Sequence, residues 1–398
     1  MTVRGHGPTA PLAAAALAAS LYVALTATGL GDYPGDAGPA MHALLRGDLH
    51  AFATSRPAMG TLALLIRLPF AAVAHLGSPS EASIYRWGAF PCVASMGLLG
   101  VWLAGLARER GAGLVGQAAI VAVAIFNPFT QSALALGHPE ELLTASLAVG
   151  SVVAASRQRS VLAAVLLGLA VATKQWAVIA ALPVLVVLEA GRVRALAVAV
   201  TLAVVCTLPS VVGAPGAFLA NNVALAHEQF LTPSGYSWFF PVAPRVTHHL
   251  AGGLVVRGAR LPAGLVGLLH PLIILTSALL AAQLARLGSR GRTIDRIFAA
   301  VGLAFVLRCT LDTETMPYFY APLFATLLAW DAMRGGNDLP VLALGGAAIG
   351  YALFDRLTPA AIGTGPATWL YTGVTLAAAG LLVTIMGDAR GRDRRAAR

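Results

Sequence analysis

Charged residues are scarce in this chain of 398 residues: they make up 11% of it, and Lys174 is the single lysine. Hydrophobic residues make up 58%, and the mean hydropathy is +0.77. A soluble domain of this length does not need so much apolar surface, and many of the apolar runs are long enough to cross a bilayer. The composition therefore predicts an integral membrane protein. Apolar runs separated by short arginine clusters indicate helices and not a barrel of alternating strands.

Several motifs that carry chemistry are also absent. The three cysteines, Cys92, Cys206 and Cys309, lie in apolar runs without a C-x-x-C pair, which excludes a disulfide framework and favours a packing role. The chain has no G-x-x-x-x-G-K-[ST] loop and no G-x-S-x-G elbow, which argues against nucleotide hydrolysis and against a serine nucleophile on such a turn. It has no H-x-x-x-H or H-E-x-x-H pair, which argues against a zinc site. The acids of the chain could hold another divalent metal, but we favour a protein without a metal or a cofactor.

Basic residues nevertheless outnumber acidic ones and give a formal net charge of +10. The arginines separate the apolar spans instead of forming one stripe, which is typical of topology signals and not of a nucleic-acid partner. Placing most of them on the cytoplasmic side of a plasma membrane predicts about 12 spans with both chain ends in the cytoplasm. The predicted spans are 10–30, 84–107, 114–129, 141–155, 161–173, 176–188, 195–212, 262–287, 297–311, 321–330, 339–353 and 368–385.

We therefore predict one all-α transmembrane domain over residues 1–398, with 10–30 retained as a first helix although it resembles a signal peptide. Residues 31–83 form a first external loop with surface-lying helices, which include the run 59–76. A second long external loop, also with surface-lying helices, covers 213–260. Residues 387–398 form a basic cytoplasmic tail.

The first external loop begins GDYPGDAGPAMHALLRGDLHAFATSRP. Asp32 and Asp36 stand in its Gly/Pro-rich turn, directly after the first apolar span. They could be solvated capping residues of a turn, or parts of a site built at the membrane surface. We favour the site because the other acids collect on the same predicted side: Asp48, Glu81, Glu140, Glu141, Glu228, Asp312, Glu314 and Asp355.

Two further groups on this side are candidates for binding. In the run GHPEE, His138, Glu140 and Glu141 stand where a helix begins, and the acids could simply favour the helix dipole or could bind a substrate. Lys174, followed by Gln175, interrupts an apolar stretch. A charge near the bilayer centre costs about 2.5–3.5 kcal/mol, so the lysine is either a snorkelling residue at a hairpin tip or a ligand for an anion such as phosphate.

The remaining candidates stand in external loops. His227, Tyr236 and Arg245 belong to the long second loop, whose aromatic residues could anchor the membrane or line a sugar or lipid site. Arg56 ends the first loop, and Glu314 lies in a polar turn after span 297–311. All five are candidate substrate-binding residues.

The order of these features resembles the membrane-embedded GT-C glycosyltransferases over residues 10–330. Within them, GHPEELLTASLAVG followed by LLGLAVATKQWAVIAALPVL is similar to glycosyltransferase family 87, the actinobacterial mannosyltransferase-like branch. The resemblance implies a GT-C-like bundle in the bilayer. It also implies transfer of a sugar, mannose in this branch, from a polyprenyl phosphate to a glycolipid or other glycan acceptor on the non-cytoplasmic face, with inversion.

In such an enzyme a first-loop aspartate is the general base, which here is Asp36 or Asp32, and we prefer Asp36. A cation near the leaving phosphate stabilises its charge, and Lys174, Arg56 and Arg245 are the candidates. A rival hypothesis is a secondary transporter of a polar or lipid-linked substrate, although its acids would be expected near the midplane and its halves would match. A non-catalytic scaffold ranks third.

Overall fold

The computed structural model describes residues 9–55, 57, 59–77, 80–226, 230–231, 236–237, 239, 243–249, 255–288, 292–313, 315–335 and 339–396. Most of these residues are helical. The α-helices are α1 (Thr9–Leu25), α2 (Ala37–Leu45), α3 (Leu49–Thr54), α4 (Thr61–Gly77), α5 (Glu81–Glu109), α6 (Leu114–Ile125), α7 (Pro128–Ala135), α8 (Glu140–Ser156), α9 (Ser160–Thr173), α10 (Ala181–Val187), α11 (Arg192–Gly213), α12 (Pro215–Ala226), α13 (Ala263–Arg286), α14 (Ile294–Leu311), α15 (Ala321–Arg334), α16 (Val341–Tyr351), α17 (Pro359–Ile362) and α18 (Thr364–Ala396). Two 3₁₀ helices, Gln175–Ala180 and Pro317–Tyr320, and one π-helical turn, Ala352–Arg356, complete the helical part.

The predicted all-α class of a polytopic membrane protein is confirmed, because nearly all of the regular structure is helical. Each predicted span coincides with a helix or a pair of consecutive helices. Among the described residues, five helices are long and apolar enough to cross a membrane: Glu81–Glu109, Leu114–Ala135, Arg192–Gly213, Ala263–Arg286 and Thr364–Gly387. Four apolar helices are shorter: Ala10–Leu25, Thr61–Gly77, Ser160–Thr173 and Gln175–Val187. The orientation of the helices in the bilayer stays a prediction.

Helix α8 lies at the centre of the bundle and packs against α5, α9 and α15. Nearly all of its residues are buried on every side, which is the property of a core helix and not of a lipid-facing one. Its many alanines, with Gly150 and Ser151, let neighbouring backbones approach closely. The first turn of this core helix carries Glu140 and Glu141, so both carboxylates enter the interior of the protein.

The predicted surface-lying helix 59–76 is α4, and its faces differ. Thr61, Leu64, Arg67, Ala71 and Ala74 recur at helical spacing and are buried. The opposite side exposes apolar residues, including Val73 and Leu76. Because Arg67 is on the buried face, α4 carries a charge into the protein.

The second long loop differs from its prediction. Helix α12 begins it, but the described residues that follow form a three-stranded antiparallel sheet and no further helix until α13. The strands are β1 (Phe230–Leu231), β2 (Arg245–His249) and β3 (Val255–Arg260), in the order β1-β3-β2 with Val246 opposite Gly258. The short RVTHH and VVRGAR runs contain the β-branched residues that favour strands, which explains the difference.

Candidate active site

Two glycines bring the first loop against the turn before α8. The amide of Asp32 donates to the carbonyl of Leu136 at 3.1 Å, so the two backbones lie side by side. Gly137 has φ +88°, and a Cβ there would lie 2.7 Å from the Tyr33 nitrogen and 2.9 Å from the Asp32 nitrogen. Gly31 also has a positive φ, of +44°. Only glycine accommodates both the conformation and the close approach at Gly137.

This contact places two of the first-loop aspartates, Asp32 and Asp36, at one imidazole. The Nε2 atom of His138 lies 3.4 Å from an oxygen of Asp32, 106 residues away in sequence, and its Nδ1 atom lies 3.9 Å from an oxygen of Asp36. Asp36 is the residue before α2, and its amide donates to the carbonyl of Asp32 at 2.9 Å. The side chain of Asp36 is 14% exposed, whereas that of Asp32 is 76% exposed.

Glu140 lies behind His138 and is enclosed by three cations. One oxygen is 3.1 Å from His138 Nδ1 and 3.3 Å from Lys174 Nζ, and the other is 3.5 Å from Arg67 Nη1. Its side chain has no exposed surface. A fully buried carboxylate needs such partners, because an unpaired charge in the interior is very costly.

Glu141 binds the same lysine from the neighbouring position. Its Oε1 lies 3.3 Å from Lys174 Nζ, and its Oε2 accepts a hydrogen bond from the indole of Trp176 at 2.9 Å. Lys174 occupies a break between α9 and a 3₁₀ helix, where its backbone is extended. The break lets Lys174 reach both carboxylates, and the next residue, Gln175, is exposed.

The hydrogen bonds of His138 fix its charge. Burial alone lowers the pKa of an imidazole, but the hydrogen bonds to the carboxylates of Asp32 and Glu140 outweigh burial and raise the pKa of His138 to about 9. The hydrogen bond from His138 in turn lowers the pKa of Asp32, although burial opposes it. At neutral pH the ring is therefore an imidazolium between ionised carboxylates.

Further residues at this site were not among the predicted ones. Arg67 is wholly buried, and its guanidinium carbon lies 5.5 Å from the centre of the Tyr33 ring. Arg308, from α14, lies over the rings of Trp176 and Phe319, at 4.6 and 4.4 Å from their centres. A signal for both arginines was available, because an arginine inside an apolar helix indicates a functional site by default.

The candidate residues of the second external loop lie away from the charged cluster around His138. Tyr236 packs against Phe354 and Tyr371, and its hydroxyl donates to the Leu353 carbonyl at 3.1 Å, in a separate aromatic cluster. Arg245 is exposed at the start of β2. The predicted site residues Arg56, His227 and Glu314 lie outside the described residues.

The described residues of the site do not form a set of metal ligands. No group of three or more His, Cys, Asp or Glu side chains there is arranged to hold a metal ion. Glu140, the carboxylate nearest to His138, instead pairs with Lys174 and Arg67. The absence of a metal from the reaction stays a prediction.

The model of glycosyltransferase family 87 matches residues 59–311. The crystal structure of ArnT from Cupriavidus metallidurans bound to undecaprenyl phosphate is similar at a TM-score of 0.46 and 16% identity, over 96% of this chain and 70% of that one. No curated protein matches the chain significantly. The family match covers α4, α8, the Lys174 turn and α14, which supply most of the cluster.

Proposed function

The chain belongs to glycosyltransferase family 87, and from this premise we propose that it transfers mannose, with inversion, from a polyprenyl phosphate to a glycan acceptor on the non-cytoplasmic face. It is a membrane glycosyltransferase of the GT-C type. One observation supports this reaction most directly. His138 and Glu140 link the two loop aspartates, Asp32 and Asp36, to Lys174.

The proposed reaction needs one base and one cation. The base takes the proton of the acceptor hydroxyl while the oxygen forms a bond to the anomeric carbon. The bond from that carbon to the phosphate oxygen breaks, and its electron pair leaves with the polyprenyl phosphate. A phosphate leaves without being protonated, so a second carboxylic acid of the kind glycosidases use is unnecessary.

Asp36 is the better base of the two aspartates. The hydrogen bond from His138 lowers the pKa of Asp32, which makes this carboxylate a weaker base, and most of its side chain is in solvent. Asp36 is largely enclosed, and an enclosed carboxylate is positioned more firmly for proton transfer. His138 would hold both carboxylates in place without itself taking the proton, because it is already protonated at neutral pH.

Lys174 is proposed to stabilise the leaving phosphate. Its side chain is 12% exposed and its ammonium is held by two carboxylates, which fix its position at the site. Lys174→Gln is expected to lower the rate of transfer by about 10²–10³-fold, the typical effect of removing one such donor. Lys174→Arg keeps the charge and is expected to lose less. The measurement is the initial rate with radiolabelled donor. Arg157→Gln, which removes a cation paired with Glu109 at the opposite end of α8, is the control. A Lys174→Gln rate like that of Arg157→Gln would contradict this role.

The transfer itself is tested with purified protein in nanodiscs. Radiolabelled polyprenyl-phosphate mannose is added with glycan acceptors, and the label is expected to appear in the acceptor while free polyprenyl phosphate is released. The transporter hypothesis expects a different result in liposomes: the label crosses the bilayer with its bond to phosphate intact. Transport of the intact labelled donor without any transfer of sugar would contradict the proposed function and favour the transporter.

The raised pKa of His138 predicts a limit at alkaline pH. Because this pKa is about 9 in the folded protein and about 6.5 for a free imidazole, the imidazolium stabilises the site fully below pH 6.5, and its contribution is lost as the pH rises through 9. The melting temperature is therefore expected to fall between about pH 6.5 and 9, and the transfer rate is expected to fall as the pH rises through 9. His138→Gln is expected to remove this dependence, whereas His75→Gln, on the exposed end of α4, retains it. If His138→Gln lost activity and stability at alkaline pH as the wild type does, a group other than His138 would be responsible for this pH dependence.

A further inference from the structure

A second chain of contacts leads away from Lys174 and does not pass through His138. Glu141 holds the ammonium of Lys174 with one oxygen, at 3.3 Å, and accepts the indole N–H of Trp176 with the other, at 2.9 Å. The guanidinium carbon of Arg308 lies 4.6 Å from the centre of the same indole. These contacts join the first turn of α8, the 3₁₀ helix that follows α9, and the last turn of α14.

Helix α14 holds the ring of Trp176 in place. Phe305 and Arg308 are three residues apart, so they project from the same face of this helix. The rings of Phe305 and Trp176 meet edge to face, with their centres 5.8 Å apart, while the guanidinium of Arg308 lies over the indole. Both arrangements are attractive. An indole held in this way keeps its single N–H directed at Glu141.

Arg308 is an unusual cation, because aromatic rings hold it. It is 4% exposed and forms no ion pair with an acid in the part of the chain that the structure describes. Asp312, one helical turn further on, attracts it from beyond ion-pair distance. Its guanidinium lies over the rings of Trp176 and Phe319 and donates to the Phe319 carbonyl at 3.5 Å. A buried arginine in an apolar helix is costly and by default indicates a function.

The orientation of Glu141 depends on the indole. Its carboxylate is almost wholly buried, with Lys174 on one oxygen and the N–H of Trp176 on the other. Without that N–H, a buried oxygen would lose its donor, and the carboxyl group could turn about its terminal bond. Lys174 is shared between Glu141 and Glu140, so a turned Glu141 would remove one of the two supports of the ammonium.

We propose that Trp176 and Arg308 are positioning residues for Lys174. Arg308 holds the indole, the indole orients Glu141, and Glu141 keeps the ammonium of Lys174 at the site of the leaving phosphate. The part played by the phosphate rests on the proposed function, whereas the position of the ammonium does not depend on it. A change at Trp176 is therefore expected to alter the chemistry through Lys174.

Acetylation of Lys174 measures its position without an assay of transfer. It is the only lysine of the chain, so its reaction with N-hydroxysuccinimidyl acetate can be followed by mass spectrometry of one peptide. Trp176→Phe keeps an aromatic ring and removes the N–H. It is expected to raise the acetylation rate about fivefold, the factor that corresponds to one ordinary hydrogen bond.

The matched control for this measurement is Trp330→Phe. It removes an indole hydrogen bond of 2.8 Å to Asp295, in the first turn of α14, whereas Arg308 is in the last turn. Trp330→Phe is expected to leave the acetylation rate of Lys174 unchanged. An acetylation rate in Trp176→Phe no higher than that in Trp330→Phe would overturn the proposal.

Arg308→Met tests the other end of the chain of contacts. Methionine keeps an unbranched apolar side chain but removes the cation over the indole. The acetylation rate of Lys174 is expected to rise, but by less than in Trp176→Phe, because the indole N–H remains. Melting temperatures in one detergent show that each variant is folded. A wild-type acetylation rate in folded Arg308→Met would overturn the role of Arg308.

Transfer kinetics show whether Trp176 acts through the lysine. Trp176→Phe is expected to lower kcat about fivefold and to leave the KM for the acceptor unchanged. In a protein that already carries Lys174→Gln, the same substitution is expected to have no further effect, because the group that it positions is absent. An equal loss of kcat with and without Lys174→Gln would contradict the proposal. Faster acetylation in a protein that transfers no sugar would keep the positioning of Lys174 and overturn the proposed function.

Discussion

Replacing Asp36 with asparagine is expected to reduce sugar transfer by about 10²–10⁴-fold, the usual contribution of a general base. Asparagine has the shape of aspartate and is an equally good residue to precede a helix, so α2 keeps its start. The amide, however, cannot take the proton of the acceptor hydroxyl. The measurement is the initial rate at saturating donor and acceptor, together with the melting temperature of the same preparation, which is expected to change little.

Two other aspartates of the same loop provide comparisons, and Asp48 is the control. Asp48 precedes α3, accepts a hydrogen bond from the Ala51 amide at 2.8 Å and has no contact with the cluster among the described side chains. Asp48→Asn is therefore expected to keep nearly full activity. Asp32→Asn is expected to have an intermediate effect, because it loosens His138. Full activity in both Asp36→Asn and Asp32→Asn would count decisively against a first-loop base.

Replacing Glu140 with glutamine is expected to destabilise the protein by about 3–5 kcal/mol and to abolish transfer. The neutral amide leaves the buried charges of Arg67, His138 and Lys174 without the carboxylate that all three share. The loss of the shared carboxylate also frees His138 and Lys174 from their positions at the aspartates. The melting temperature in a fixed detergent reports the first effect, and the transfer rate of the folded fraction reports the second.

The neighbouring carboxylate gives a matched comparison. Glu141 is equally buried but binds one cation, Lys174, and one neutral indole. Glu141→Gln is therefore expected to destabilise the protein less than Glu140→Gln. Adding Arg67→Met to Glu140→Gln removes the cation that has least exposure to water, and part of the lost stability is expected to return. Equal melting temperatures for the two single variants would show that Glu140 is not the centre of the charge network.

The helices were predictable because the bilayer leaves few alternatives. Spans such as 161–173 and 195–212 match α9 and α11 within a few residues, since a long apolar run must satisfy its own backbone hydrogen bonds. The strands β2 and β3 were missed because hydropathy does not distinguish short external strands from surface-lying helices. Their few β-branched residues were a weak signal in a loop rich in Pro, His and aromatic residues.

The site was predictable in its parts but not in its connections. Asp36, Glu140 and Lys174 stand out because they are charged residues beside apolar spans. The enclosure of Glu140 by Arg67, 73 residues away, has no local sequence signal, because it depends on how α4 packs against the first turn of α8. The role of Gly137 is similar: the residue is visible in the sequence, but its approach to the Tyr33 backbone is not. Contacts between residues on different helices of the bundle could therefore be identified only from the structure.

The most direct test of the central claim is the anomeric configuration of the product. A single carboxylate base acting opposite a leaving phosphate permits only one displacement at the anomeric carbon. Purified protein is incubated with polyprenyl-phosphate mannose and octyl α-mannoside, and the new linkage is examined by nuclear magnetic resonance. The mechanism predicts a linkage of configuration opposite to that of the donor, formed in equal amount to the polyprenyl phosphate released. A linkage that retains the donor's configuration would contradict it.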